Sequence, residues 1–251
     1  MANHRNELGQ TLGFPMPDWT PPPHPAGTPL NGRYCRLERI NPARHTADLC
    51  AANALDRDGA GWTYLTYGPL VTLDDYRAWM RASCMGNDPL FYAIVTGVNS
   101  PDEKAVGVAS YMRIDAANGV IEVGGIKYSP LLQRTRAATE AMHLMMKHAF
   151  ELGYRRYEWK CDSYNAPSRT AAQRYGFSYE GVFRQATIYK QRSRDTAWFA
   201  IIDSEWPAID AAFMRWLAPE NFDAAGRQTV SLSQLTGPLL NRRDESVINP
   251  P

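Results

Sequence analysis

The feature that most constrains the fold is a strand–helix–strand unit in the middle of the chain. Residues 120–128, VIEVGGIKY, and residues 154–161, YRRYEWKC, have the β-branched, aromatic and alternating character of strands. Over about residues 134–152 apolar side chains recur at helical spacing, and Gly153 is placed to end that helix. Because such a crossover joins parallel strands, the two strands are predicted to be parallel neighbours in one sheet.

The segments around this unit predict a mixed sheet flanked by helices. Asn41 and Pro42 suit the cap and first position of a helix, and Thr72 with Asp75 resembles a capping box. The resulting fold class is α/β (α+β), with a central sheet of about seven strands. Further strands are predicted at 33–40, 90–97, 105–114, 177–190 and 195–204, the last two as a hairpin across 191–194. Further helices are predicted at 41–55, 72–84 and 166–175, with one more from Pro207.

Composition divides the chain into an N-terminal arm (1–31), a folded domain (32–204) and a C-terminal helix and tail (205–251). Residues 15–29 hold seven prolines, which exclude a helix interior or a central strand. We expect the arm to lie extended on its own domain, anchored by apolar side chains such as Trp19. Near the C-terminus the pattern fades, and the last ten residues are expected to be mobile.

Charge and cysteine content exclude several classes of protein. The net charge is +1, with Lys and Arg scattered along the chain, so neither nucleic acid nor an acidic membrane surface is an expected partner. None of the four cysteines forms a CxxC pair, which disfavours a metal site or a disulfide scaffold. The N-terminus has no apolar leader and no apolar run approaches the ~20 residues of a membrane span. A cytoplasmic location is therefore expected.

The turn at residues 129–141, SPLLQRTRAATEA, opens the long helix and is a candidate anion site. The first backbone amides of a helix lack intrahelical partners and lie at the positive end of its macrodipole. That arrangement suits a pyrophosphate, and Arg134 and Arg136 would add charge-assisted hydrogen bonds. A helix start that merely carries basic residues is the alternative interpretation.

Two glycines, Gly124 and Gly125, lie inside the strand that precedes this turn. Glycine within a strand often marks a bulge, and a bulge here would separate this strand from its parallel neighbour. The unpaired backbone would then face a slot in which a ligand with amides, such as a pantetheine arm, can complete the ladder. A purely structural bulge remains the alternative.

A third motif, NAPSRTAAQRYGF at 165–177, makes the whole order of elements resemble a known family. Over residues 32–204 the chain resembles the GNAT superfamily of acyl-CoA-dependent N-acyltransferases, and most of all the branch of ribosomal-protein N-terminal acetyltransferases. The resemblance implies acetyl-CoA as co-substrate, with pantetheine in a splay between the family's fourth and fifth strands, 120–128 and 154–161. The implied cofactor contacts are Gln133, Arg134, Thr135, Arg136, Ala137, Ala138, Asn165 and Ser168.

This loop departs from the family pattern Q/R-x-x-G-x-G/A. Gln133 and Ala138 match, but Arg136 stands where glycine is usual and Arg134 where glycine is frequent. An arginine at positive φ would be strained. We expect the loop to be helical already at these positions, so that both arginines fit.

The resemblance implies direct attack of a neutral amine on the thioester, which needs a base for the amine proton. Glu122, just before the glycine pair, is the candidate base, with a solvent-facing strand carboxylate as the alternative. Ser168 is a candidate proton donor to the thiolate. Tyr175 is expected in the core, because Ala172 stands where several relatives carry a tyrosine acid.

Further residues are considered as contacts for the acceptor amine or as parts of the site around it. Asp162 is a candidate for binding the amine or for capping a loop, while Cys161 as nucleophile is disfavoured. His143 and His148 are expected to be exposed positions on the long helix. The aromatic residues that alternate in a glycine-flanked loop are candidates for stacking on the substrate or for packing a lid; they are Trp62, Tyr64 and Tyr67.

Two functional classes follow. The favoured one is an N-acetyltransferase acting on a primary amine of a small molecule or of a peptide or protein N-terminus. The alternative is a non-catalytic module of the same fold that binds acyl-CoA or a protein partner. A different acyl donor such as succinyl-CoA also stays open, as does a homodimer.

Overall fold

The computed structural model describes residues 4–248 and contains one eight-stranded sheet with helices on both faces. The strands are β1 His4–Arg5, β2 Thr11–Leu12, β3 Leu30–Asn31, β4 Arg36–Arg39, β5 Leu90–Thr96, β6 Lys104–Asp115, β7 Val120–Tyr128, β8 Arg156–Asp162, β9 Ser178–Tyr189 and β10 Arg192–Ile202. The helices are α1 Pro42–Asn53, α2 Leu73–Ser83, α3 Arg136–Glu151, α4 Ala166–Arg174, α5 Trp206–Leu217, α6 Leu232–Thr236 and α7 Glu245–Ile248.

The sheet order is β3-β4-β5-β6-β7-β8-β10-β9, and β1 pairs only with β2. Every pairing in the large sheet is antiparallel except β7 with β8, which is parallel and confirms the prediction from the crossover helix. The sheet has eight strands rather than about seven, because the short β3 adds an edge beside β4. The hairpin turn is also tighter than predicted: Lys190 and Gln191 have φ of 47° and 60°, as a two-residue turn that follows strand twist requires.

The predicted helix caps are present. The Asn41 side chain accepts hydrogen bonds from the first amides of α1, and Thr72 and Asp75 form a capping box on α2. Helix α3 begins at Arg136 rather than at 134, with Thr135 as its cap. These side chains satisfy amides that a helix cannot pair internally.

Two apolar layers enclose the sheet. Helices α3 and α5 pack on one face, where Met142, Met145 and Phe213 are buried. Helices α1 and α2 cover the other face around Leu49 and Met80. The crossover helix therefore sits on the face opposite α1 and α2, which leaves its N-terminus at the sheet edge where β7 ends.

The prediction that His143 and His148 are exposed is wrong. His143 is 4% exposed, stacks on Phe213, and its Nε2 lies 2.6 Å from Asp210 Oδ1. His148 is half-buried beside Tyr111. For His143 the cause is α5, which covers a helix surface that the local pattern marks as polar.

The arm and the tail both dock on the domain. Trp19 Nε1 donates to the Ala117 carbonyl at 2.9 Å, and the Tyr154 hydroxyl donates to the Pro23 carbonyl. In the tail Leu232 is fully buried, and Thr236 Oγ1 donates to the Arg174 carbonyl. Residues 1–3 of the predicted arm and 249–251 of the predicted tail lie outside the described residues. Within residues 4–248, no helix is both long and apolar enough to span a bilayer.

Candidate active site

The site begins where β7 separates from β8. The two strands pair only from Val120–Val123 to Arg156–Trp159, while β8 continues to pair with β10 as far as Asp162. The β6–β7 register shifts after Gly124, and Gly125 has a φ of 59°. The predicted bulge is therefore present, and it opens the predicted slot between β7 and β8.

Both glycines make close contacts, and Gly125 is also required by its backbone conformation. A Cβ on Gly125 would lie 2.8 Å from the Phe91 ring, and one on Gly124 would overlap the Met112 sulfur. Because Gly125 also has positive φ, any side chain there is strained. The slot thus depends on the absence of two side chains.

A cleft of about 1510 Å³ runs through the slot and has two ends. The loop end is lined by the turn before α3, by Arg174 of α4, and by Trp216 and Phe222 of the C-terminal region. The hairpin end is lined by the loop after α1, by the end of β8 and by β10. Lining residues at the hairpin end include Asp56, Tyr64, Tyr67, Lys127, Asp162 and Arg194.

The loop end presents backbone amides. Thr135 Oγ1 accepts from the Ala138 amide at 3.1 Å and donates to the Leu132 carbonyl. Within the described chain, no acceptor pairs with the amides of Arg134, Arg136 and Ala137. Unpaired amides at the positive end of a sixteen-residue helix suit an anion.

The expectation that the loop is already helical at both arginines is correct for Arg136 and wrong for Arg134. Arg136 is the first residue of α3, whereas Arg134 has a φ of 61° and lies in the turn before the cap. The chain must reverse there to bring the Thr135 cap into place. A non-glycine residue in this conformation costs about 1–3 kcal/mol.

Two arginines near these amides pack their guanidinium groups against aromatic rings. The Arg136 guanidinium lies 4.2 Å from the Phe222 ring centroid and 5.3 Å from that of Tyr34. Arg174 lies 5.1 Å from the Trp216 ring centroid and donates to Thr139 Oγ1. The C-terminal region thus forms part of the cleft, a contribution that the fading pattern after residue 220 did not predict.

The other residues predicted to bind the cofactor are also brought together here. The exposed Gln133 donates through Nε2 to the Tyr128 carbonyl, where β7 ends. Asn165 caps α4 by accepting from the Ser168 amide. Ser168 Oγ accepts from Trp159 Nε1 at 3.0 Å, which leaves its own proton free to donate into the cleft.

Glu122 is buried, not solvent-facing: it is 2% exposed and lines the cleft. Its Oε1 accepts from Arg113 Nη1 at 2.6 Å. Its Oε2 lies 2.9 Å from Lys160 Nζ, but without the geometry of a hydrogen bond. A Cβ on Gly124 would lie 3.5 Å from Oε1, so the carboxylate sits directly over the bulge. Oε2 thus faces Lys160 and accepts no hydrogen bond from residues 4–248.

At the hairpin end Asp162 is 5% exposed and accepts two hydrogen bonds, from the Tyr189 hydroxyl at 2.8 Å and from the Tyr164 amide at 2.9 Å. It therefore caps the loop after β8 and also lines the cleft. Tyr64 lines the cleft and donates to the Tyr164 carbonyl. Burial raises the pKa of Tyr189 to about 12, so this phenol keeps its proton at neutral pH.

The aromatic loop is only partly in the cleft. Tyr64 and Tyr67 line it, whereas Trp62 is 4% exposed and packs beneath the loop against Gly68 and Tyr76. The structure places Trp62 in the core under α1 and α2. Its position supports the loop rather than presenting an aromatic face to the cleft.

A buried ion pair, which the sequence did not predict, holds the same loop to the sheet. Lys127 Nζ of β7 lies 2.9 Å from Asp56 Oδ2 and 4.6 Å from the Trp62 ring centroid. The Lys127 side chain is only 3% exposed. A lysine inside a strand of mostly apolar residues was the one signal for a buried partner.

Tyr175 and Cys161 line the cleft, and burial keeps both side chains protonated at neutral pH. Tyr175 is buried between Trp159 and Phe213, and burial raises its pKa, in agreement with the core assignment. Burial likewise raises the pKa of the Cys161 thiol to about 11. A thiol that is protonated at neutral pH is a poor nucleophile, so Cys161 is a wall residue of the slot.

Comparison with known proteins agrees with this geometry. A family model described as acetyltransferase (GNAT) domain matches residues 36–178. A GCN5-related N-acetyltransferase from Brucella melitensis is 45% identical, with a TM-score of 0.85 over 88% of this chain and 100% of that one. A GNAT-family acetyltransferase from Chromobacterium violaceum is 38% identical, with a TM-score of 0.72 over 78% and 98%.

A third structure shares the fold alone. The microcin C7 self-immunity acetyltransferase, solved in complex with acetyl-CoA and AMP, is 21% identical with a TM-score of 0.58 over 68% of this chain and 93% of that one. No curated protein sequence matches the chain. The family match spans more than half of the sequence and includes β7, the loop end and β8. The chain therefore belongs to the GNAT family of acyl-CoA-dependent acetyltransferases.

Proposed function

We propose that the protein transfers the acetyl group of acetyl-CoA to a primary amine by direct attack in a ternary complex. The observation that carries this proposal is the continuity of three features in one cleft. Unpaired amides lie at the loop end, an open strand edge runs along the slot, and the buried Glu122 lies over the bulge. The acceptor is a small molecule or a peptide N-terminus.

The loop end fits a polyphosphate donor. The free amides of Arg134, Arg136 and Ala137 can receive the diphosphate, and Arg134 and Arg174 add positive charge beside them. Charge-assisted hydrogen bonds of this kind are about twice as strong as neutral ones. The edge of β7 beyond Gly124 can pair with the amides of pantetheine as an added strand would.

Glu122 is assigned to the amine proton. Attack requires a neutral amine, whose lone pair forms the C–N bond at the thioester carbonyl carbon. Glu122 Oε2, which has no hydrogen-bond donor among residues 4–248, accepts the proton that the amine loses, directly or through a water molecule. Arg113 and Lys160 hold this carboxylate in position by ion pairs.

Ser168 is assigned to the leaving group. When the C–S bond breaks, the electron pair stays on sulfur and the thiolate needs a proton. The Ser168 hydroxyl accepts from Trp159 Nε1, so its hydrogen is directed elsewhere. Because Ser168 Oγ contacts Trp159 of β8, the hydroxyl lies on the β8 side of the slot, where the sulfur would leave.

Free-thiol release from acetyl-CoA, measured with a panel of primary amines, tests the proposal. We expect amine-dependent thiol release with one acetylated amine formed per thiol, and tight binding of acetyl-CoA by calorimetry. Binding of acetyl-CoA with no turnover on any amine would favour the non-catalytic module. Absence of binding by the folded protein would overturn the assignment of the loop end.

A further inference from the structure

Most charges at the hairpin end are paired, and the exceptions among residues 4–248 are Arg194 and Asp162. Arg113 pairs with Glu122, Lys127 with Asp56, and Lys160 with Glu122 and Glu158. Arg194 of β10 also lines the cleft, yet no carboxylate of the described chain lies within ion-pair distance of it. A cation without a counterion in a wall of paired charges is a candidate ligand contact.

The Arg194 side chain packs against an aromatic ring, but its Nε donates no hydrogen bond within the described chain. Its guanidinium lies 5.8 Å from the Tyr189 ring centroid, and its Nε is buried with no hydrogen-bond partner among residues 4–248. The charge is close enough to lower the pKa of the Cys161 thiol, against the larger effect of burial. Its place is therefore at the end of β8, beside the slot.

An unpaired anion lies on the same wall. Asp162 accepts only neutral donors, the Tyr189 hydroxyl and the Tyr164 amide. No cationic side chain of the described residues pairs with it, Arg194 included. A guanidinium and a carboxylate that share Tyr189 as neighbour but do not pair with each other match the two charges of a zwitterion.

We infer that the hairpin end selects a primary amine that also carries a carboxylate, with Arg194 binding the carboxylate and Asp162 receiving the ammonium. This inference rests on the proposed function. A guanidinium binds carboxylates through two parallel hydrogen bonds, and Asp162 would hold the ammonium beside the slot until its proton is removed. Arg194 is then a specificity residue for the acceptor, while the donor phosphates are met by the arginines of the loop end.

Matched acceptors test the inference. Glycine, β-alanine and γ-aminobutyrate are compared with their amides, and the dipeptide amide Ala-Glu with Ala-Gln. The first set varies the spacing of amine and carboxylate in free amino acids, and the second places the carboxylate on a peptide side chain. We expect one acid of either set to exceed its neutral partner in kcat/KM by about 10- to 100-fold, the range of a charge-assisted hydrogen bond.

Variants separate this contact from general damage. In Arg194→Gln the ratio of kcat/KM for the acid to kcat/KM for its neutral partner should fall to about 1, while the Kd of acetyl-CoA stays unchanged. Arg194→Lys should retain part of the preference for the acid. Arg192→Gln, an exposed change on the same strand, should leave it intact. Equal use of acids and amides, or a preference that survives Arg194→Gln, would overturn the inference while the proposed function stands. Thiol release with none of these amines would overturn the inference, and the proposed function would fall with it only if the whole panel of primary amines gave no turnover despite acetyl-CoA binding.

Discussion

The two ends of the cleft are built in different ways. The loop end consists mostly of backbone amides from one short stretch of sequence, residues 134–137, at the start of one helix. The hairpin end consists of side chains from widely separated positions, among them Asp56, Lys127, Asp162 and Arg194. The loop end, which would bind the acyl donor, therefore depends on local backbone geometry. The hairpin end, which would bind the acceptor, depends on long-range packing of charged side chains.

The largest expected effect is at the boundary between the two ends. In Glu122→Gln, loss of the base should lower kcat by about 10²- to 10⁴-fold, because the amide cannot accept the amine proton. The Kd of acetyl-CoA should stay within a factor of two, since the loop end is untouched. Steady-state kinetics and calorimetry measure both. Glu180→Gln, which alters a strand carboxylate paired with Arg156 outside the cleft, should leave kcat unchanged; an equal loss there would contradict the assignment.

The next effect tests the long-range packing of the hairpin end. Lys127→Met leaves Asp56 partly buried and uncompensated, and should lower the free energy of unfolding by about 3–5 kcal/mol. The double variant Asp56→Asn/Lys127→Met should recover part of this loss. Denaturant unfolding measures the change, with Lys147→Met as control, because the exposed Lys147–Glu151 pair contributes at most about 1 kcal/mol. Similar losses in the two single variants would show that Lys127 is not held by a buried pair.

A smaller effect separates charge from strain at the loop end. Arg134→Ala and Arg134→Gly both remove the cation, and each should weaken acetyl-CoA binding about fivefold, the value of one exposed ionic contact. Only the glycine variant relieves the positive φ, so it should be more stable than the alanine variant by about 1 kcal/mol. Thermal melts and calorimetry read the two effects independently. Equal stability of the two variants would show that Arg134 does not adopt this conformation.

The smallest effect concerns the pH dependence of kcat/KM, to which Cys161 and Tyr189 should not contribute. Cys161 and Tyr189 have pKa values raised by burial to about 11 and about 12, so both stay protonated and neutral below pH 10. From pH 6 to 10, kcat/KM should rise through the pKa of the acceptor ammonium, about 8 for an α-amine, and then stay level. The pH profile of Cys161→Ala should coincide with that of the parent protein. A limb near pH 8 that disappears in Cys161→Ala would point to a thiolate nucleophile.

The sequence predicted what local rules determine. The parallel pair around the crossover helix, the bulge at Gly124–Gly125, and the caps at Asn41, Thr72 and Asp75 follow from residue type and spacing, and the structure contains all of them. The same holds for residues 133–138 of the loop end, which are neighbours along the chain. Backbone features of this kind can be predicted from neighbouring residues alone, without knowing which distant segments pack against them.

The remaining features depend on segments far apart in sequence. His143 is buried because α5 packs on it, and Trp62 is buried because Gly68 and Tyr76 surround it. Arg134 was expected to be helical because residues 137–139 continue a good helix, but the Thr135 cap sets the start of α3 two residues later. The unpaired state of Arg194 is visible only once β10 lies beside β8.

Hydrogen–deuterium exchange with and without coenzyme A tests the central claim, that the donor occupies the gap between β7 and β8 with its diphosphate on the first amides of α3. The account predicts slower exchange in peptides covering 124–128 and 134–138, and unchanged exchange in the arm peptides of 4–31. Binding of coenzyme A that leaves both segments unprotected, or that protects another surface instead, would contradict it.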